Sequence, residues 1–170
     1  MSNLHLIACI CEGAFEHAIM EILLDSEKLI FTREQLLEEE ILRCRKAANF
    51  QRDHLNKSGI NNLTVYRILD SKKENFKLSG PYREKVNVIN IITSPEIEML
   101  VIHAEDKFND YAKKRMKPNE YVSTILRYKN VKSYDFAKEY FSDVNKLISA
   151  IRKYRSNSQD KENTLCDILR

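Results

Sequence analysis

The 170-residue chain is 43% hydrophobic and 31% charged, a globular composition that excludes a disordered or fibrous protein and predicts one domain. Three Gly and three Pro are too few for the many tight turns of an all-β sandwich and favour helices. The net charge of +3 says little by itself, but residues 106–155 hold 13 Lys/Arg against 6 Asp/Glu, so the excess lies in the C-terminal part and leaves the rest acidic.

In chain order, Leu4–Cys11 (LHLIACIC) is an apolar run too short for most helices and reads as a buried strand of the parallel-sheet kind. It stops at Glu12-Gly13, after which Phe15, Ala18, Ile19, Ile22 and Leu23 recur at helical spacing up to Asp25. Lys28–Phe31 is a short strand candidate. Over Arg33–Lys57 the residues Leu36, Leu37, Ile41, Cys44, Ala47 and Ala48 keep a 3.6-residue period, and Lys57-Ser58-Gly59 supplies a stop, so a long helix is expected. Leu63–Leu69 (LTVYRIL) is β-branched and apolar and ends at Asp70; residues 71–85 are polar and read as a loop; Val86–Ile92 (VNVINII) is the next strand. Thr93-Ser94-Pro95 is a helix start with a hydroxyl cap, and helices are expected over Glu96–Asp106, Phe108–Arg115, Glu120–Arg127 and Tyr134–Arg155. The tail reads as a flexible linker before a short amphipathic end, Thr164–Arg170.

Strands alternating with helices predict an α/β fold with about four mostly parallel strands, helices on both faces and a helical C-terminal part. The expected divisions are an α/β core over residues 1–106, a basic helical extension over 107–156 and a tail over 157–170. No apolar run approaches the ~20 residues that cross a bilayer. The start, MSNLHLIACICEG, lacks the basic segment and small-residue cleavage site of a signal peptide. Four Cys without framework spacing point to a reducing, cytoplasmic compartment. Cys9 and Cys11 lack a second pair for zinc and read as core thiols; His103, amid LVIHAE, reads as a core histidine. Walker, G-x-G-x-x-G and G-x-S-x-G motifs are missing, which disfavours those routes to nucleotide binding or nucleophilic catalysis.

Acids follow three of the strands: Glu12, Asp70, and Glu96 with Glu98. In a parallel sheet these ends share one edge, where ligands bind. Carboxylates gathered there repel one another unless a cation sits between them, and hard oxygen donors from several loops suit Mg²⁺ or Mn²⁺. Two such ions can clamp the attacking and leaving oxygens of a phosphodiester. The competing reading of Glu96 and Glu98 is that of first-turn residues complementing a helix dipole.

The run IACIC-EG-AFEHAIMEIL resembles the first motif of Toprim domains, the catalytic domains of topoisomerases, bacterial primases and OLD-type nucleases. YRILDSK puts Asp70 in the first acidic position of that family's Asp-x-Asp motif, and NIITSPEIEMLVIHAE resembles a stretch of small RloB-type Toprim proteins, with Pro95 and Glu98 in the Pro and Glu places. The resemblance, over about residues 3–106, implies a Mg²⁺- or Mn²⁺-dependent nuclease acting on DNA or RNA. It further implies a role in phage or mobile-element defence, beside an ATPase partner, with Glu12 and Asp70 as catalytic metal ligands. One departure is plain: Lys72 stands at the second acidic position, and an ammonium cannot ligate a metal. Glu74 or Glu98 would then complete the metal shell, and Lys72 could steady a phosphate. The alternative is a catalytically degenerate module of the same kind that binds nucleic acid or a protein partner. Lys113, Lys114, Arg115 and Lys117 form one basic cluster and Arg127, Lys129 and Lys132 another. They are candidates for phosphate contact, against the plainer reading of a solvated helical face. A third cluster, Arg152-Lys153-Tyr154-Arg155, closes the long helix.

Overall fold

The computed structural model describes residues 5–56, 59–158 and 162–170. Three strands, β1 (Leu6–Cys11), β2 (Leu63–Leu69) and β3 (Val86–Ile92), form one parallel sheet in the order β1-β2-β3. The register sets Leu6 opposite Leu63 and Leu63 opposite Val86, so all three strands finish nearly level. The mixed α/β class and both later strands match the sequence pattern.

Alternation along the strands sorts the side chains into two cores. Cys9, Cys11, Tyr66, Ile68 and Ile91 face the larger one, and Ala8, Ile10, Leu63, Val65 and Val86 the smaller. Helix α1 (Ala14–Asp25) lies against the larger core with Phe15, Ala18, Ile19, Met20 and Leu23 buried. The same side takes α4 (Met99–Ala104), α5 (Phe108–Ala112), α6 (Pro118–Thr124), α7 (Tyr134–Tyr140) and α8 (Val144–Asn157), with α1 on α7 and α4 on α8. The smaller core is covered by α2 (Ala47–Phe50), a wider turn over Gln51–Leu55 and α3 (Gly80–Arg83), through Phe50, Leu55 and Tyr82, with Leu78 buried just before α3.

Four expectations need correction. The sheet has three strands among the described residues, not four: Lys28–Phe31 contributes a single antiparallel bridge, Leu29 to Leu169. The helix expected over Arg33–Lys57 is absent over its first half. Leu36 and Leu42 instead bridge to Ile7 and Ile10, and the Leu42 N–H donates to Cys9 O (2.8 Å) while Leu42 O accepts from Cys11 N (3.0 Å). The outer edge of β1 needs backbone partners, and an extended strap supplies them. Within that strap Glu38 and Glu39 adopt positive φ (61° and 57°). Lys57 and Ser58, part of the expected stop, lie outside the described residues. The Tyr134–Arg155 helix is broken at Phe141–Asp143, where Asp143 caps α8 by accepting from Asn145 N at 2.9 Å. Finally, Thr93-Ser94-Pro95 does not cap a helix directly. Tight turns over Glu96–Glu98 intervene, with Met99 N donating to Glu96 O at 3.2 Å and Val101 N to Glu98 O at 3.0 Å.

The amphipathic C-terminal end is docked. Leu165 and Ile168 are buried, Ile30 N donates to Ile168 O (3.0 Å), Arg170 N to Lys28 O (2.8 Å), and Ile92 N to Asn163 O (2.8 Å). Part of the expected linker, residues 159–161, lies outside the described residues. Among those described, no helix is long and apolar enough to cross a membrane.

Because Ile168 is almost wholly buried, Ile168→Ala should destabilise the fold by about 2–4 kcal/mol, read from urea unfolding monitored by circular dichroism. A loss under about 0.5 kcal/mol, the range of ordinary surface changes, would show that this end contributes no packing.

Candidate functional site

The three strand ends open into one cleft of about 390 Å³, lined by Glu12, Glu16, Asp70, Glu96 and Glu98 together with Arg45 and Lys132. Each reaches it for a local reason. Glu12 follows β1 on the face of Ala8 and Ile10, and Gly13 lets α1 begin at once. Glu16, one helical turn on, folds its carboxylate back over Gly13, where a Cβ would displace it. Asp70 is the first residue past β2 and is exposed. Glu96 and Glu98 lie on the turn between β3 and α4, and Glu98 is only 4% exposed.

Electrostatics in the cleft follow from this crowding. Burial pushes the Glu98 carboxyl up to about 7, with Glu96 and Glu16 adding to the shift and Lys132 opposing it. Burial also raises Glu16, and its neighbours Asp70 and Glu12 add to it. Two cations offset part of the repulsion. Arg45 donates from Nη2 (3.0 Å) and Nε (3.2 Å) to Glu12 Oε2, and Lys132 Nζ lies 3.9 Å from Glu96 Oε1. Glu96 Oε2 accepts from Asn119 N at 3.1 Å, which brings the start of α6 to the rim.

Sequence reasoning brought Glu12, Asp70 and Glu98 together, and they do share the cleft. It did not foresee Arg45 or Glu16. Glu16 had a signal, its i+4 spacing from Glu12; Arg45 had none, because its position depends on the strap replacing a helix. Glu74 does not line the cleft. It lies behind it against Arg67, whose Nη2 donates to Glu74 Oε2 at 3.2 Å. Its carboxyl is raised, by burial first and then by Glu12 beside it. Arg67 is 1% exposed, sits under Phe76 (4.4 Å to the ring centre) and reaches Asn90 Oδ1 at 3.3 Å. A charge inside the apolar run LTVYRIL was visible in the sequence and is the mark of this buried network. Lys72 turns toward the C-terminal segment, 3.6 Å from Glu162 Oε1.

The remaining candidates divide. Lys113, Lys114, Arg115, Lys117, Arg127 and Lys129 are all exposed. Of these, Lys117 precedes the α6 start at the cleft rim, and Lys129 lines a second hollow that adjoins the cleft through Lys132. The third basic cluster is largely committed: Lys153 pairs with Asp106 (2.6 Å), Arg155 with Asp167 (3.5 Å), and Tyr154 donates to Ser94 O (2.7 Å). Tyr128 and Tyr140 both donate to Glu105 Oε1 (2.8 and 2.6 Å), which ties these rings to the helical side of the fold. His103 is 2% exposed, stacked on Phe108, and lowered by burial to about 4, a neutral core histidine. Cys9 and Cys11 are wholly buried.

As donors, these hard carboxylates fit a divalent cation of the Mg²⁺ or Mn²⁺ kind. One observation supports the fit: Glu12 Oε1 is buried and receives no N–H donor, and the Glu74 carboxyl lies against Glu12, two acids whose repulsion a cation would relieve. The carboxylates line the cleft without converging, since among the described residues no three Asp, Glu, His or Cys side chains form a metal-holding group. No protein-family model matches the chain, and no curated protein or solved structure shows significant similarity to it.

Glu98 carries a pH signature. Its folded value near 7 exceeds the ordinary 4.5, so between those values the folded chain holds a proton that the unfolded chain releases, and stability falls as pH rises through that window. Glu98→Gln should therefore be about 2–3 kcal/mol more favourable relative to wild type at pH 8 than at pH 4. Urea unfolding at the two pH values measures this, and a pH-independent difference would overturn it.

Proposed function

We propose that the cleft is the site of a small Toprim-like, divalent-metal-dependent nuclease that hydrolyses phosphodiesters of DNA or RNA. The observation that carries this reading is that acids from all three strand ends line one cleft, flanked by basic residues on the rim. Glu12 and Asp70 would hold the metal, with Glu98 or Glu16 completing the set. The ion, when bound, would supply Lewis-acid polarisation of the phosphate and activation of water. Glu98, with its value near neutrality, is suited to hold or move a proton at its carboxyl oxygen. Lys132, Lys117 and Lys129 favour a polyanion along the rim. The resemblance in sequence adds a role in phage or mobile-element defence, with an ATPase as partner.

One second reading is favoured by a specific observation. Lys72, at the place of the family's second acid, is directed to Glu162, and Glu74 is tied to Arg67 rather than to the cleft. A degenerate module that binds nucleic acid or a protein without cutting would tolerate both.

Two measurements separate the readings. Asp70→Asn removes a charge but little volume, so Mg²⁺- or Mn²⁺-dependent cleavage of single- or double-stranded DNA or RNA should fall by orders of magnitude while the circular dichroism spectrum stays unchanged. Wild-type protein that cuts none of these, with or without an ATPase partner, would leave the binding module. For that module, the slope of log affinity against log salt on a DNA or RNA oligonucleotide should drop by about 1 for each of Lys117→Ala and Lys132→Ala. A salt-independent affinity would point to a protein partner instead.

A further inference from the structure

Arg45 is the one feature of the cleft whose geometry suits something other than what it now contacts. Its side chain is 73% exposed, on a short extended stretch anchored through Leu42 to β1 and followed at once by α2. The backbone is thus fixed while the guanidinium is held by solvent and one carboxylate. A fork-to-fork pair would engage both carboxylate oxygens. Here Nε and Nη2 both address Glu12 Oε2, at 3.2 and 3.0 Å, and the guanidinium leaves the buried Glu12 Oε1 unengaged. Two of the five guanidinium donors are used among the described residues. The field that holds Arg45 comes first from Glu12, then from Glu74 and Asp70, and Glu12 and Asp70 are the acids that would hold a metal ion.

Resting on the proposed nuclease reading, we infer that Arg45 is the phosphate-binding arm of the cleft, parked on Glu12 as a place-holding cation until a divalent ion takes that carboxylate. An exposed, singly anchored ion pair is weak, so a divalent ion displaces the guanidinium at little cost. The freed fork matches the paired oxygens of a phosphodiester. It swings on a fixed backbone into the cleft that it already lines. The arrangement makes metal and arginine competitors for Glu12, and metal and substrate cooperative: the ion releases the group that binds the phosphate.

The test uses the full chain with Arg45→Gln and Arg45→Lys. Mn²⁺ titration calorimetry should show about two- to fivefold tighter binding for Arg45→Gln, since a competitor worth no more than an exposed ion pair has gone. Arg45→Lys, which keeps the charge and loses the fork, should lie between it and wild type. Binding of a fluorescent single-stranded DNA oligonucleotide in Ca²⁺ should weaken by about tenfold in Arg45→Gln, an amount in keeping with a lost charge-assisted hydrogen bond. In a cleaving protein this loss should appear in KM rather than kcat. If wild type and Arg45→Gln bind Mn²⁺ equally well, or if oligonucleotide binding is unchanged, the assignment of Arg45 falls and the nuclease reading stands. If neither protein binds Mn²⁺ at all, both fall. If only Arg45→Gln binds it, the place-holder role is upheld in its strongest form.

Discussion

Parallel pairing obliges β1, β2 and β3 to end at the same edge of the sheet, so whatever follows each strand is brought together whether or not those residues attract. In this chain they repel. Glu12 and Asp70 arrive by register, Glu16 by one turn of helix, and Glu96 with Glu98 by the turn before α4. Local remedies keep the edge folded: a proton on Glu98 near neutrality, Arg45 against Glu12, Lys132 against Glu96, and a backbone N–H from α6. Each remedy is one that a bound cation could replace.

Behind this edge lies a second electrostatic problem with a different answer. Arg67 is buried in the middle strand, where an unpaired charge would cost several kcal/mol. Its compensation is distributed: Glu74 at 3.2 Å, Asn90 directly across on β3, and the face of Phe76. Its Nε remains without a partner. Because Glu74 also lies beside Glu12, the buried pair and the exposed cleft are adjoining charge networks. The loop after β2 is therefore held inward by its acid rather than by apolar contacts alone.

The parts that the sequence made legible are those where one physical signal dominates. LTVYRIL and VNVINII are short, β-branched and bounded by polar stops, and both strands have the expected limits. The acids after them could be grouped at one edge from the α/β alternation alone. Residues 33–46 misled because helical spacing of Leu36, Leu37, Ile41 and Cys44 is also satisfied by a strap whose bulky residues dip inward irregularly, whereas the helical reading held over Ala47–Leu55. The deciding factor was the unmet hydrogen bonding of β1, which no local window contains. Arg45 was hidden for the same reason. Lys28–Phe31 reads as a strand because it does pair, but with the far end of the chain rather than with the sheet.

That last pairing bears on how the protein comes into being. Leu29 and Leu169 are bridged across 140 positions of sequence, and Leu165 is buried beside Ile92, Ile97, Leu100 and Ile151, with which it lines one small apolar pocket. On the ribosome, every element that forms this groove is made before the segment that plugs it. Until translation has passed residue 169, the nascent chain must carry an open apolar seam beside its own sheet, a surface of the kind that chaperones recognise and that favours aggregation. Closing so long a loop is also slow compared with forming local helices. Sealing of the core thus waits on a segment made 140 positions after the strand it pairs with.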